Sequence, residues 1–139
     1  VGTREVVNPG TFDTLDWAVV GSLPDGRGGS AAFVADDPAL GDCQSDIEAG
    51  VLYLQSPSIA VPSGIARLRL AFDHWVSTEE GWDGANLKIS VNGGAYELVP
   101  ASAFGFNAYN DSINSAGQGN DNPLRGEDAF TGSDAGALT

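Results

Sequence analysis

Between Ala66 and Val76, Leu68, Leu70 and Phe72 alternate with Arg67, Arg69, Ala71 and Asp73. Successive side chains of an extended chain fall on opposite faces, so this period of two predicts a strand with one apolar face. The pattern repeats over Asn86 to Val91, where Leu87, Ile89 and Val91 alternate with Asn86, Lys88 and Ser90. Asn92-Gly93-Gly94 follows and predicts a tight hairpin turn, because Asn and Gly tolerate positive φ; Ala95 to Val99 is then the return strand. Three shorter runs read the same way: Leu15 to Val20, with Trp17 and Val19 on one face; Ala31 to Ala35, after the glycine-rich turn at 25–29; and Gly50 to Gln55, apolar on both faces and ended by Ser56-Pro57. No window holds the three-to-four-residue apolar period of an amphipathic helix between caps. About six short strands separated by turn signals predict an all-β fold, an antiparallel β-sandwich.

After Pro100 the pattern lapses. Residues 101–139 are rich in Gly, Asn, Asp and Ser, with isolated aromatics at Phe104, Phe106, Tyr109 and Phe130. A structureless stretch of this length is unusual inside a compact domain. It is either a long ordered loop anchored by those aromatics or the approach to strands that the chain lacks. With 139 residues, one domain is the natural count, its core expected over 10–100.

Composition narrows the partners. The 19 Asp+Glu against 6 Lys+Arg give a net charge of -13. Such a surface repels a phosphate backbone and an anionic membrane, so neither nucleic acid nor membrane insertion is expected. No stretch reaches the roughly 18 apolar residues of a membrane span. No signal-peptide pattern opens the chain, so any export signal would lie upstream. Cys43, the single cysteine, raises the question of a disulfide partner in a secreted protein.

Two acidic loops carry the candidate chemistry. The loop from Asp36 to Glu48 holds Asp36, Asp37, Asp42 and Asp46, with Pro38 and Gly41 bending the chain. Calcium takes six to eight oxygen ligands from carboxylates and carbonyls on such loops, although the spacing is not that of an EF-hand. The second loop, Glu79-Glu80-Gly81-Trp82-Asp83-Gly84, joins two expected strands. Glu80 and Asp83 are read as further calcium ligands. A carboxylate pair here could also do glycosidase acid/base work through Glu79, Glu80 and Asp83, but adjacent carboxylates in a loop more often just face water. Trp82 is the tryptophan to test for stacking on a sugar, whereas Trp17 and Trp75 read as packing residues. His74, the single histidine, excludes a two-histidine zinc motif and reads as packed on a sheet. No nucleophile-elbow signature is present. Asn110-Asp111-Ser112 fits a glycosylation sequon, a weak signal.

The run from Leu68 to Val76, Glu79-Glu80-Gly81-Trp82-Asp83-Gly84 and Asn86 to Gly94 resembles the MAM-like, jelly-roll accessory domains attached to secreted bacterial metallopeptidases of the fungalysin and immune-inhibitor-A type. Residues 29–37 and 54–59 extend the resemblance, which covers about 10–132. It implies a two-sheet jelly roll, export, a structural calcium site near the acidic loops, and no catalysis by the domain itself. It also implies further C-terminal strands beyond Thr139, a partner for Cys43 among them, and a sheet edge left open unless another chain fills it. The expected partners are an attached catalytic domain or second fragment and a carbohydrate or extracellular protein. The alternative role is a shielding domain with no ligand of its own.

Overall fold

A computed structural model of the chain describes residues 2–6, 17–22, 28–33 and 49–135. The chain divides into two compact units, Val1–Ala60 and Val61–Thr139. The first contains β1 (Gly2–Val6), β2 (Ala18–Ser22), β3 (Gly28–Phe33) and β4 (Gly50–Tyr53). β1 pairs antiparallel with β4, and β2 with β3. Three of these strands overlap the runs that alternation predicts; β1 was not anticipated.

The second unit contains β5 (Val76–Ser77), β6 (Lys88–Ile89), β7 (Glu97–Leu98), β8 (Asp111–Ser112), β9 (Asp128–Ala129) and β10 (Ser133–Ala135). β5 pairs with β10, β6 with β7 and β8 with β9, all antiparallel, and an isolated bridge joins Ala85 to Phe130. Two short 3-10 turns, Ala101–Ala103 and Ala116–Gln118, are the helical elements among the described residues. The fold is therefore β-rich, with no α-helix among the described residues, and its sheets are small, two strands each.

The hairpin over residues 88–98 forms where the sequence places it. Asn92 and Gly93 both take positive φ, 53° and 76°, and the Gly94 N–H donates to the Val91 carbonyl at 3.0 Å. Asn and Gly take such consecutive positive φ values at little steric cost, which is why they serve in tight hairpin turns. The strands are shorter than alternation suggests, however, because pairing is confined to Lys88–Leu98 and Ile89–Glu97, with the Val99 N–H donating to Leu87 beyond them.

The strand expected from Ala66 to Val76 needs correction. Only its end pairs, through Val76 against Ala135 and Ser77 against Ser133. No backbone hydrogen bond joins residues 66–73 to another described residue. Alternation creates an apolar face, but a strand also requires a neighbour for its N–H and C=O groups. Along the expected face, burial fades stepwise. Val76 is buried and His74 half-buried, whereas Phe72, Leu70 and Leu68 are 50%, 69% and 68% exposed.

The core of this unit lies in the stretch expected to be loop. Ile113, Leu124, Ala129 and Phe130 are buried there beside Val76. Phe104 and Tyr109 pack on Phe130 edge-on, with ring centroids 6.1 and 5.0 Å away. Such tilted aromatic pairs place the positive ring edge on the negative face. Tyr109 also accepts from the Leu87 N–H at 3.0 Å and lies 3.2 Å from the Leu87 carbonyl, tying this cluster to the hairpin. Burial pushes its phenol pKa up, an effect the hydrogen bond to Leu87 opposes and the nearby carboxylates of Asp128 and Glu127 reinforce. Glu127 closes the hairpin's other face: it takes hydrogen bonds from Lys88 Nζ at 2.7 Å and Asn86 Nδ2 at 2.8 Å.

His74 bridges the two ends of this gradient, its ring 4.2 Å from Phe130 and 5.7 Å from Phe72. Burial lowers its pKa, with the Asp73 carboxylate opposing. The unfolded chain thus binds a proton on His74 more readily than the folded one, so the associated stability is present above the unfolded pKa and lost as pH falls through the folded value. Taking the sample from about pH 7.5 to about pH 5.5 should lower the melting temperature, since an unfolded histidine titrates near 6.5. His74→Phe keeps a ring on Phe130 and cannot titrate, so its melting temperature should be flatter over this interval. Equal slopes for both proteins would refute the assignment.

Candidate functional site

The loop from Glu79 to Gly84 is held as a rigid turn. The Glu79 carbonyl accepts from Trp82 N–H at 3.1 Å and Asp83 N–H at 3.0 Å. Gly81 sits at a φ of 75°, and a Cβ there would lie 2.9 Å from the Asn114 side chain. Gly84 is pressed closer still, since an added Cβ would meet the Phe130 carbonyl at 2.7 Å and Ile113 Cδ1 at 2.9 Å. Gly84 is therefore required by close approach to backbone, and Gly81 by its left-handed backbone.

Residues from the distant C-terminal stretch bond to this loop at Gly81, Trp82 and Asp83. The Thr131 hydroxyl accepts the Gly81 N–H at 2.8 Å. Its single hydrogen goes to the Asp83 carbonyl at 2.6 Å, with the Glu79 carbonyl lying 3.3 Å away. Thr78 adds a second hydroxyl: it donates to Asp83 at 3.0 Å and accepts the Gly132 N–H at 3.1 Å. The Asn114 N–H donates to the Gly81 carbonyl at 2.7 Å. Asn120 and Asn122 donate through Nδ2 to the Trp82 carbonyl at 3.1 and 3.2 Å. Their amide orientations are set by turns of their own, because Asn120 Oδ1 accepts from Asn122 N–H and Asn122 Oδ1 from Leu124 N–H, each at 2.8 Å. An Asn oxygen bound to the backbone two residues on is a self-contained turn that leaves the NH2 group to donate elsewhere.

With its backbone committed, the loop turns its side chains outward. Trp82 is 40% exposed, and Glu79, Glu80 and Asp83 are exposed beside it. Trp17 and Trp75 are half-buried. Glu80 also lays its Cβ and Cγ near Gly132, 3.5 and 3.6 Å from the position of an added Cβ. Glu80, Trp82 and Asp83 thus share one loop, as their spacing requires.

Asp36, Asp37, Asp42 and Asp46, with Cys43, lie outside the described residues. Among the described residues no group of three or more His, Cys, Asp or Glu side chains comes together. Around Glu80 and Asp83, the carbonyls of Glu79, Gly81, Trp82 and Asp83 already accept hydrogen bonds. No helix among the described residues is long and apolar enough to cross a membrane.

Asn110 has a structural task. Its Nδ2 donates to the Thr131 carbonyl at 2.9 Å and its Oδ1 accepts the Thr131 N–H at 3.0 Å, so the side chain pairs with Thr131 as a strand residue would. This bond is invisible to sequence periodicity, and it gives the Asn of the sequon a role in folding. An open hollow beside it is lined by Ala101, Tyr109, Asp111, Ser112 and Asp128. Comparison with protein-family models, with curated proteins and with solved structures finds no match for this chain.

Proposed function

We propose that the chain is a non-catalytic carbohydrate-binding module, with Trp82 as its stacking platform and Glu80 and Asp83 as acceptors for sugar hydroxyls. The observation that carries this reading is an exposed indole on a loop whose N–H groups at Gly81, Trp82 and Asp83 and carbonyls at Glu79, Gly81, Trp82 and Asp83 are held by hydrogen bonds. A pre-ordered aromatic loses little freedom on binding, and its face suits the apolar C–H surface of a pyranose ring. Exposed carboxylates accept hydroxyl hydrogen bonds at the ring's edge. The resemblance of residues 68–94 extends the proposal to a jelly-roll accessory domain of a larger secreted bacterial peptidase. Calcium then belongs to the loop bearing Asp36, Asp37, Asp42 and Asp46, where it would stiffen the acidic turn.

Affinity electrophoresis through gels cast with cellulose, chitin, xylan or galactan should retard the chain in at least one, and Trp82→Ala should weaken that retention by about tenfold or more, as loss of a central aromatic anchor does. Its melting temperature should barely change, because the indole is not part of the core. Free migration in every gel, or unaltered retention of Trp82→Ala, would sink the carbohydrate reading. Melting the protein in calcium and then in EDTA addresses the cation separately: at a hundredfold excess over its dissociation constant, a ligand bound only to the native state adds about 2.7 kcal/mol. Superimposable curves would remove calcium from the proposal.

A further inference from the structure

We infer that the glycan taken at Trp82 carries free amines, as a polymer of glucosamine does, in preference to a neutral or uronate-bearing one. This rests on the carbohydrate reading and names the class of sugar it takes. The polar groups of the loop at 79–84 decide the matter. The Trp82 and Asp83 N–H groups both donate to the Glu79 carbonyl, and the Gly81 N–H donates to the Thr131 hydroxyl. The hydroxyls of Thr78 and Thr131 are spent on the Asp83 carbonyl. The side-chain amides of Asn120 and Asn122 are spent on the Gly81 and Trp82 carbonyls. These donors are thus turned inward, onto the loop itself. Beside the exposed indole the loop presents Glu79, Glu80 and Asp83, all exposed. An ionised carboxylate only accepts hydrogen bonds, whereas an ammonium brings three donors and a positive charge.

The indole favours the same ligand. A cation over an aromatic face is attracted by the ring quadrupole, and tryptophan is the best of the three rings for it. An amino sugar meets both demands in one residue: an apolar C–H face to stack and an ammonium at its edge for a carboxylate. Charge in the supporting segment does not offset the loop. There Asp121 is acidic, and Arg125 turns its guanidinium onto the Asp121 and Asn122 carbonyls. Lys88, the next basic residue after the loop, is held by Glu127 at 2.7 Å. At physiological ionic strength, exposed charges more than about 8 Å apart are largely screened, so the loop's own carboxylates rather than the net charge of -13 set the local preference. A uronate or a sulfate ester would place like charges against one another.

The test uses the full chain and three hexasaccharides of one β-1,4-linked backbone: cellohexaose, chitohexaose and the fully deacetylated glucosamine hexamer. They differ at C2, which carries a hydroxyl, an acetamide or an ammonium. Isothermal titration should show the glucosamine hexamer bound about tenfold tighter or more than cellohexaose, as a cation–π contact and exposed ion pairs together would produce, and added salt should shrink the difference. Glu79→Gln with Glu80→Gln keeps the side-chain size and should bring the two affinities together. Glu97→Gln with Asp111→Asn removes the same charge outside the loop and should keep the preference. Trp82→Ala should weaken all three sugars. Equal affinity for the three, or a preference that survives both salt and the loop variant, overturns the amine assignment and leaves the carbohydrate reading standing. A preference lost equally in the Glu97 and Asp111 variant, or a lysine hexapeptide bound as tightly as the glucosamine hexamer, overturns it too, since bulk charge would then be what is read. Failure to bind any of the three also overturns it, and the carbohydrate reading is then decided by the polysaccharide gels alone.

Discussion

Phe130→Ala should destabilise the second unit by about 3–5 kcal/mol, the range for removing a buried phenylalanine ring. Phe130 is 4% exposed and is the common neighbour of His74, Phe104 and Tyr109, whose ring centroids lie 4.2, 6.1 and 5.0 Å from its own. Truncation leaves a cavity between three rings that come from separate parts of the chain, and none can swing in without leaving its own partners. Phe104 also packs on Tyr109 at 4.8 Å, and Tyr109 is anchored by its hydroxyl on Leu87. The backbone bridge between Phe130 and Ala85 is unaffected in principle, because both of its 2.9 Å bonds are main-chain. Equilibrium urea unfolding followed by near-ultraviolet circular dichroism, which reports on fixed aromatic environments, checks the prediction. Phe130→Leu should cost distinctly less, because it refills part of the cavity. Equal losses for the two variants would mean that the ring cluster is not what holds this unit together.

The hairpin and the cluster around Phe130 differ in how far the sequence reveals them. The Asn92-Gly93 turn is a local instruction: two residues that tolerate positive φ, flanked by alternating runs, specify a hairpin by themselves. Glu80, Trp82 and Asp83 are likewise brought together by adjacency alone. The cluster has no such signature. β8 and β9 are two residues each, too short for a period to emerge, and their surroundings are held by Asn110, Asn114, Asn120, Asn122 and Thr131 bonding to backbone across 20 to 50 positions of sequence. Polar residues in such numbers read as loop, because composition carries no information about which distant carbonyl each will find. Of the four isolated aromatics that were the available clue, Phe104, Tyr109 and Phe130 anchor the ordered loop, whereas Phe106 is 72% exposed. The reverse error occurs over Ala66 to Val76. Among the described residues the strongest period in the chain pairs only at its end, through Val76, because a period specifies a face and does not supply the neighbour that makes an extended segment a strand.

The same dependence on unpatterned polar bonds makes Thr131→Val the more diagnostic substitution. Valine is close in shape to threonine, so packing is conserved and the change isolates the hydroxyl. Thr131 is 1% exposed, so water does not replace what is lost. Two bonds disappear together: the one accepted from the Gly81 N–H at 2.8 Å and the one given to the Asp83 carbonyl at 2.6 Å. Asp83 keeps the Thr78 hydroxyl at 3.0 Å, whereas the Gly81 N–H has no other acceptor among the described residues. An orphaned buried donor costs about 1–3 kcal/mol, and with the second bond the total expected loss is about 2–4 kcal/mol. Thr131→Ser retains the hydroxyl and should lose only the methyl's packing, about 1 kcal/mol. The contrast between Val and Ser is therefore opposite to that at a purely apolar position, where the valine would be tolerated and the serine penalised. Because Thr131 fixes the turn that displays Trp82, Thr131→Val should also weaken retention in the glycan gel that retards the parent chain, while Thr131→Ser should not. Equal stability of the valine variant and the parent would show that the turn at 79–83 holds its shape without Thr131, and that the ordered platform beneath Trp82 has another source.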